Sequence, residues 1–342
     1  MRDVSYRVDY LRGGVPAGTL QYSAPPSISC QRDAEIAVTL RGTFRHDERV
    51  RYLTDELAPV MIDEAGEHPL GVFRAATITT SADEAGVLWD EIEAYDRTVL
   101  LTWARIEERA HWPAGTRYDA ILQHYLFADG IALAFIDPPD AVLATDREDW
   151  PEGTTHLEII NELLGELSYT PIWFDARGAA QLHAYAEPGD AEIAHVYSDS
   201  GARILRPGYA ATLDIFDAPN VFLAIVENPD YPEPMRASAE NDAPTSPLST
   251  ISRGLRIPEV IRLDNIADQA ALQAYVNRRR DESMQASETV ELGTVNEPGH
   301  GVGDVAAVSL GELAGLYHEE SWEMTLAAGE TMTHTLRRTV ML

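Results

Sequence analysis

The chain has 342 residues, enough for two or three compact domains, and its apolar fraction of 45% is that of a folded globular protein. Asp and Glu number 56 against 26 basic residues, every one of them Arg, for a formal charge of -30. Such acidity argues against binding nucleic acid or anionic membranes, which attract Lys and Arg, and no apolar run reaches the roughly 18 residues that a bilayer span needs.

Met1–Tyr10 mixes Arg, Asp and apolar side chains and contains no signal-peptide core, so synthesis and folding in a cytoplasm are expected. The lone cysteine, Cys30, excludes an intramolecular disulfide and a zinc site built from cysteines. It follows Ser27, Ile28 and Ser29 in a strand-like run, which predicts a buried thiol rather than a nucleophile.

The first hundred residues read as strands. Ala34–Leu40 alternates, with Ile36, Val38 and Leu40 on one face. Asp47–Met61 reads as a charged connection with a short apolar end. Gly71–Thr80 and Val99–Ile106 are further β-rich runs, and the spacing of turn signals suggests a sandwich or barrel.

The middle of the chain carries an internal repeat. Trp112–Asp137 and Trp150–Asp175 align without a gap, sharing Trp112/Trp150, Pro113/Pro151, Gly115/Gly153, Thr116/Thr154, Ile121/Ile159, Leu126/Leu164 and Asp137/Asp175. Each copy predicts a helix and then a short strand. Thr116 with Asp119, and Thr155 with Glu158, have capping-box spacing. Tyr118, Ile121, Leu122 and Tyr125 form one apolar stripe; Leu157, Ile160, Leu164 and Leu167 form the other. The strands are Ile131–Ile136 and Pro171–Phe174, the second turning at Asp175–Gly178 into a return through Leu182.

Beyond Glu192 the β texture resumes. Ala211–Phe216 and Asn220–Val226 are strand candidates, and Asn228–Arg253 is too polar and broken for regular structure. Asp268–Met284 predicts a helix with Leu272, Tyr275, Val276 and Arg279 on one side. Ser287–Val295, Val302–Leu310 and Tyr317–Leu342 close the chain as strands, the last bending at Ala327–Gly329. The predicted fold class is β-rich α+β, and its β–α/β–β layout suggests a barrel-like domain interrupted by a small α/β insert.

Searching for chemistry yields no catalytic, cofactor-binding or metal-ligating set. HExxH, GxSxG, Walker and EF-hand patterns are missing. The ten histidines are scattered: His183 and His195 cannot share a helix face, and His46, His111, His124 and His156 lack a partner at ligand spacing, so each reads as satisfied or solvated. Gly299–Asp304 precedes a strand rather than a helix and reads as a turn, not a phosphate cradle. The acidic groups Asp90/Glu91/Glu93, Glu107/Glu108 and Glu319/Glu320 read as solvated faces, since so acidic a chain always offers candidate pairs for glycosidase chemistry. Trp112 and Trp150, at matching repeat positions, point to packing.

The segment Val226–Ile257 resembles the signature of phage tail hub proteins, the baseplate hub or tail-associated family at the distal end of the tail tube. There a strand ending in Asn-Pro leads into an Asn-, Pro- and Ser-rich loop, then Arg-Gly and a strand. The matching positions are Asn228, Pro229, Asn241, Pro244, Ser246, Pro247, Ser249, Arg253 and Gly254. Pro69–Phe73 and Ala94–Asp96 are similar to the family's first barrel. Gly115, Thr116 and Tyr118, with Gly153 through Leu164 and Tyr169, are similar to its insert, and Asp264–Tyr275 to the helix of its second barrel.

The resemblance implies two tail-tube-like β-barrel domains, residues 1–106 and 191–342, with a small α/β insert at 107–190 between them and one helix at about 265–285. It implies a non-enzymatic homotrimeric ring without cofactors, joining a sixfold tube to a threefold tip. The implied partners are a distal tail or tail tube protein above, a spike or fibre below and a tape measure protein. DNA would transit without specific binding, and no part of the chain would insert into a membrane. The implied location is the virion tail tip, after assembly in the host cytoplasm. Because the chain stops after its final hairpin, any lytic or receptor-binding activity is expected to lie elsewhere. Acidic residues would repel DNA phosphates if they line the channel; solubility or a saline habitat explains the same charge. A tail-tip cell-wall hydrolase and a carbohydrate-binding β module are the competing readings.

Overall fold

A computed structural model describes residues 4–131, 133–135, 140–143, 145–148, 150–167, 169–184, 192–199, 205–214, 219–226, 235–244, 246–263, 269–283 and 285–341. These fall into two compact units: Met1–Gly208 with Leu292–Leu336, and Tyr209–Glu291 with Arg337–Leu342.

In chain order the first unit holds β1 (Ser5–Arg12), β2 (Val15–Leu20), β3 (Ser27–Gln31), β4 (Val38–Arg45), β5 (Glu56–Asp63), β6 (Gly66–Pro69), β7 (Phe73–Ala82) and β8 (Leu88–Asp96). There follow α1 (Thr98–Trp103), α2 (Tyr118–Ala128), β9 (Leu133–Phe135), α3 (His156–Glu166), β10 (Trp173–Phe174), β11 (Ala180–Leu182) and β12 (Ile193–Ser198). The main chain passes to the second unit along β13 (Leu205–Asp214), which continues with β14 (Val221–Val226), β15 (Met235–Glu240), α4 (Thr250–Arg253), β16 (Pro258–Leu263) and α5 (Gln269–Ser283). It returns along β17 (Gln285–Val295) to β18 (Val305–Leu310), β19 (Leu313–Thr325) and β20 (Thr331–Met341).

The first unit is dominated by one sheet ordered β17-β20-β19-β3-β4-β8-β7-β5-β1-β2, with β6 on β5 and β18 joining β12 to β19. The pairings among β1–β8, and those of β19 with β3 and with β18, are antiparallel, whereas β12 runs parallel to β18. Among the described residues the sheet is open and no closed barrel forms. The period of two decides which residues enter the core: along β8 Asp90, Ile92, Ala94 and Asp96 are buried while Glu91 is exposed. Ile92 and Ala94 join Val8, Ile28, Leu40, Phe44, Met61 and Phe73 in one interior, where Cys30 is a buried thiol whose pKa burial pushes up.

A second core of this unit belongs to the repeat. Leu101, Ile121, Leu126, Ile160, Leu164 and Leu182 pack together, beside the sheet β10-β11-β9. Both Pro-x-Gly-Thr turns close the same way, with the Thr116 and Thr154 hydroxyls donating to the Pro113 and Pro151 carbonyls at 2.7 and 2.8 Å. The Trp112 and Trp150 indoles donate to Tyr125 (3.3 Å) and Glu162 (2.8 Å) on the helix that each precedes. The Thr155–Glu158 capping box forms in full. Thr116 with Asp119 does not cap: the N-cap is Arg117, whose side chain has no acceptor, and the Thr116 hydroxyl donates to Pro113.

In the second unit β14 pairs with β15 antiparallel and with β16 parallel, and α5 packs Leu272 and Val276 onto Phe222, Ala224 and Ala237.

Three expectations are corrected. Val99–Ile106 is not a strand: Asp96 accepts the Thr98 N–H at 2.9 Å, and α1 starts there and buries Val99 and Leu101. Asp47–Met61 is more than a connection, since its second half is β5, which pairs with β1 despite Pro59. Asn228–Arg253 contains β15 and α4; β15 buries the small Ala237 and Ala239, with Met235 partly buried on the same face, a weak hydrophobic signal. The start of that segment, Asn228 and Pro229 included, lies outside the described residues.

Candidate functional site

Five side chains of the first unit meet around the start of β18. They are His195 from β12, His300 and Asp304 from the segment before β18, Glu319 from β19 and His334 from β20. Register brings them together: His195 lies opposite Ala306 and His318 opposite Val305, and the Glu319 N–H donates to the Asp304 carbonyl at 2.8 Å.

Glu319 accepts from His300 Nδ1 at 2.9 Å and from His334 Nδ1 at 2.5 Å. Asp304 Oδ2 accepts from His195 Nε2 at 3.1 Å and from the Gly301 N–H at 2.7 Å. The His195 and His300 rings stack with centroids 3.9 Å apart. Side-chain exposure is 1% for His300 and Glu319 and 0% for His334. His195, His300, Asp304 and Glu319 each offer a ligand-type atom, and these atoms lie within 4.8 Å of one another.

Burial pushes the Glu319 carboxyl up, but the His300 and His334 hydrogen bonds outweigh it and hold the pKa down at about 2. Burial lowers His334 below the usual imidazole value despite Glu319. It also opposes charging His195, yet the Asp304 hydrogen bond and charge raise that ring overall. Two carboxylates and three imidazoles, with His300, His334 and Glu319 buried and His195 and Asp304 partly exposed, are chemically a proton- or cation-binding set.

Sequence reading missed this cluster because its members lie up to 139 positions apart (195 to 334). His46, His111 and His156, which have no partner at ligand spacing in the sequence, each meet one carboxylate in space: Asp90 (2.9 Å), Glu148 (2.7 Å) and Asp129 (2.7 Å). Nor are the acidic runs wholly solvated: Asp90 and Glu319 turn inward because strand neighbours point to opposite faces.

In the second unit Asn241, Ser246 and Ser249 are buried together, whereas Pro244, Pro247 and Gly254 are exposed and Arg253 is half-buried. Asn241 Nδ2 donates to Ser246 Oγ at 3.1 Å, and Ser249 Oγ caps α4 by accepting the Ser252 N–H at 3.1 Å. Gly254 ends α4 in the left-handed region at φ 62°, a conformation that side chains with a Cβ resist. Asn220, which sequence reading did not single out, ties the loop down. Its Nδ2 donates to the Leu248 and Leu255 carbonyls at 3.2 and 2.8 Å, and its Oδ1 accepts the Ile257 N–H at 2.7 Å.

No protein-family model matches the chain, and no curated protein matches it. Solved structures do. The tail protein from Neisseria meningitidis MC58 is 11% identical with a TM-score of 0.62, over 98% of this chain and 97% of its own. The 43 kDa tail protein of prophage MuSo2 from Shewanella oneidensis is 11% identical with a TM-score of 0.63, over 96% and 98%. A prophage tail protein from Listeria monocytogenes EGD-e is 10% identical with a TM-score of 0.53, over 97% and 94%. The chain has the fold of phage tail proteins, end to end. That fold agrees with the tail-hub resemblance of the Val226–Ile257 segment.

Proposed function

We propose that the chain is the structural hub subunit of a phage tail tip or a related injection apparatus, forming a homotrimeric ring without enzymatic activity. The observation that carries this reading is the likeness to tail proteins along nearly the whole of both chains. In this reading residues 1–106 and 191–342 act as two tube-like barrel domains flanking the insert at 107–190, so three subunits offer six similar modules to the tube above and three to the tip below. Pairing with neighbouring subunits would complete the open sheet. The ring would let DNA or cargo pass, with the charge of -30 supplying repulsion along the bore. Its setting would be the virion, assembled in the host cytoplasm beside tube, spike or fibre, and tape measure proteins.

The test is mass in solution followed by negative-stain imaging, alone and with a co-expressed tube protein. A trimer with a central hole is expected. A monomer under both conditions counts against the ring, and turnover of purified peptidoglycan would replace it with the hydrolase reading.

A further inference from the structure

We propose that His195, His300, Asp304 and Glu319 form a binding site for one divalent first-row transition ion of the zinc, manganese or iron class. The donor set is two imidazoles and two carboxylates, which suits those ions, whereas calcium and magnesium prefer all-oxygen cages. All four donors come within 4.8 Å of one another, so a single ion at ligand distances of about 2.0–2.2 Å would bind after drawing the widest-spaced donors together by some tenths of an ångström.

The hydrogen bonding says what an ion would replace. A carboxylate only accepts, so the His195 and His300 nitrogens facing Asp304 and Glu319 carry protons. An ion would take the place of those protons, bound by the nitrogen lone pairs and the same carboxylate oxygens. Binding would therefore release protons and strengthen as pH rises.

The surroundings suit a ligand shell. His334 Nδ1 holds the second oxygen of Glu319, and His334 Nε2 meets the Thr294 hydroxyl at 2.8 Å, an outer pair that fixes the carboxylate's orientation. His300 presents Nδ1 to Glu319, while its Nε2, on the far side of the ring, is buried without a hydrogen-bond partner. His300 also lines a cavity with Glu297, Trp322 and Asp96, whose Oδ2 is likewise unpartnered, and this cavity supplies a route to the cluster.

The full chain, stripped with a chelator, would be titrated with Zn2+ by calorimetry in two buffers of different ionisation enthalpy, and with Co2+ as an optical probe. One equivalent of Zn2+ per chain with proton release is expected, together with a visible Co2+ band. His195→Ala and Asp304→Asn, the two less buried ligands, should each weaken Zn2+ about 100-fold or more while circular dichroism stays unchanged. His111→Ala, at the exposed pair with Glu148, should leave binding intact. Failure to bind one equivalent, or binding undiminished in both ligand variants, overturns the site. Ring formation is read by a separate measurement, so the two proposals fail independently.

Discussion

Asn220 offers the sharpest test of how the signature loop holds its shape. Its side chain is fully buried and donates to two backbone carbonyls while accepting one N–H, so each of its polar valences is matched by sign. Asn220→Asp keeps size and shape but swaps the donor for an acceptor. The Ile257 N–H bond survives; the bonds to Leu248 and Leu255 do not, and a carboxylate then faces both carbonyls. Two lost bonds at about 1 kcal/mol each, plus the exposed cost of the unmatched groups, give a destabilisation of about 3–5 kcal/mol at neutral pH. Burial and the facing carbonyls raise the folded pKa of the new Asp above its unfolded value of about 4. The variant is therefore least impaired below that value, and loses stability as pH rises through the folded pKa. Urea unfolding at several pH values measures this, and hydrogen exchange at Leu255–Ile257 locates it. A variant within 1 kcal/mol of the parent at neutral pH would refute the account.

Asp96 shows the same physics in the parent: burial, opposed by its Thr98 and Val38 hydrogen bonds, raises its pKa from 3.8 to about 6. The folded state then binds more protons than the unfolded one between these values, so stability should fall by up to about 3 kcal/mol as pH rises from 4 to 6, and Asp96→Asn should flatten that slope in denaturant titrations. Gly178→Ala should cost about 1–3 kcal/mol by thermal unfolding, since φ is +74° and the added Cβ would sit 2.9 Å from Val72 Cβ. Thr155→Ala should cost about 1 kcal/mol, because it deletes the capping box of α3.

Local signals were legible where one element carried its own pattern. The Thr155–Glu158 box, the turn at Asp175–Gly178 and the stripe of Leu272 and Val276 are short-range features, and each stands in the structure. Errors fell where partners elsewhere decided. Residues 99–103 are mostly apolar in a way that fits strand or helix, and the structure places them in α1, just after Asp96 accepts the Thr98 N–H. β15 forms because β14 supplies its ladder, though Ala237 and Ala239 barely mark an inner face.

The histidine–carboxylate cluster was illegible for a deeper reason. A strand contributes one inward residue at each level, so a constellation in a sheet takes its members from different strands rather than from one motif. Glu319 illustrates the point: beside Glu320 it reads as one of two solvated acids, yet the pleat turns it into the interior, where only its two imidazoles make its charge tolerable. A composition of -30 hides such a residue among many like it. In acidic sheet proteins the informative question is which carboxylates share a strand face with buried histidines, and that question needs the register before it can be asked.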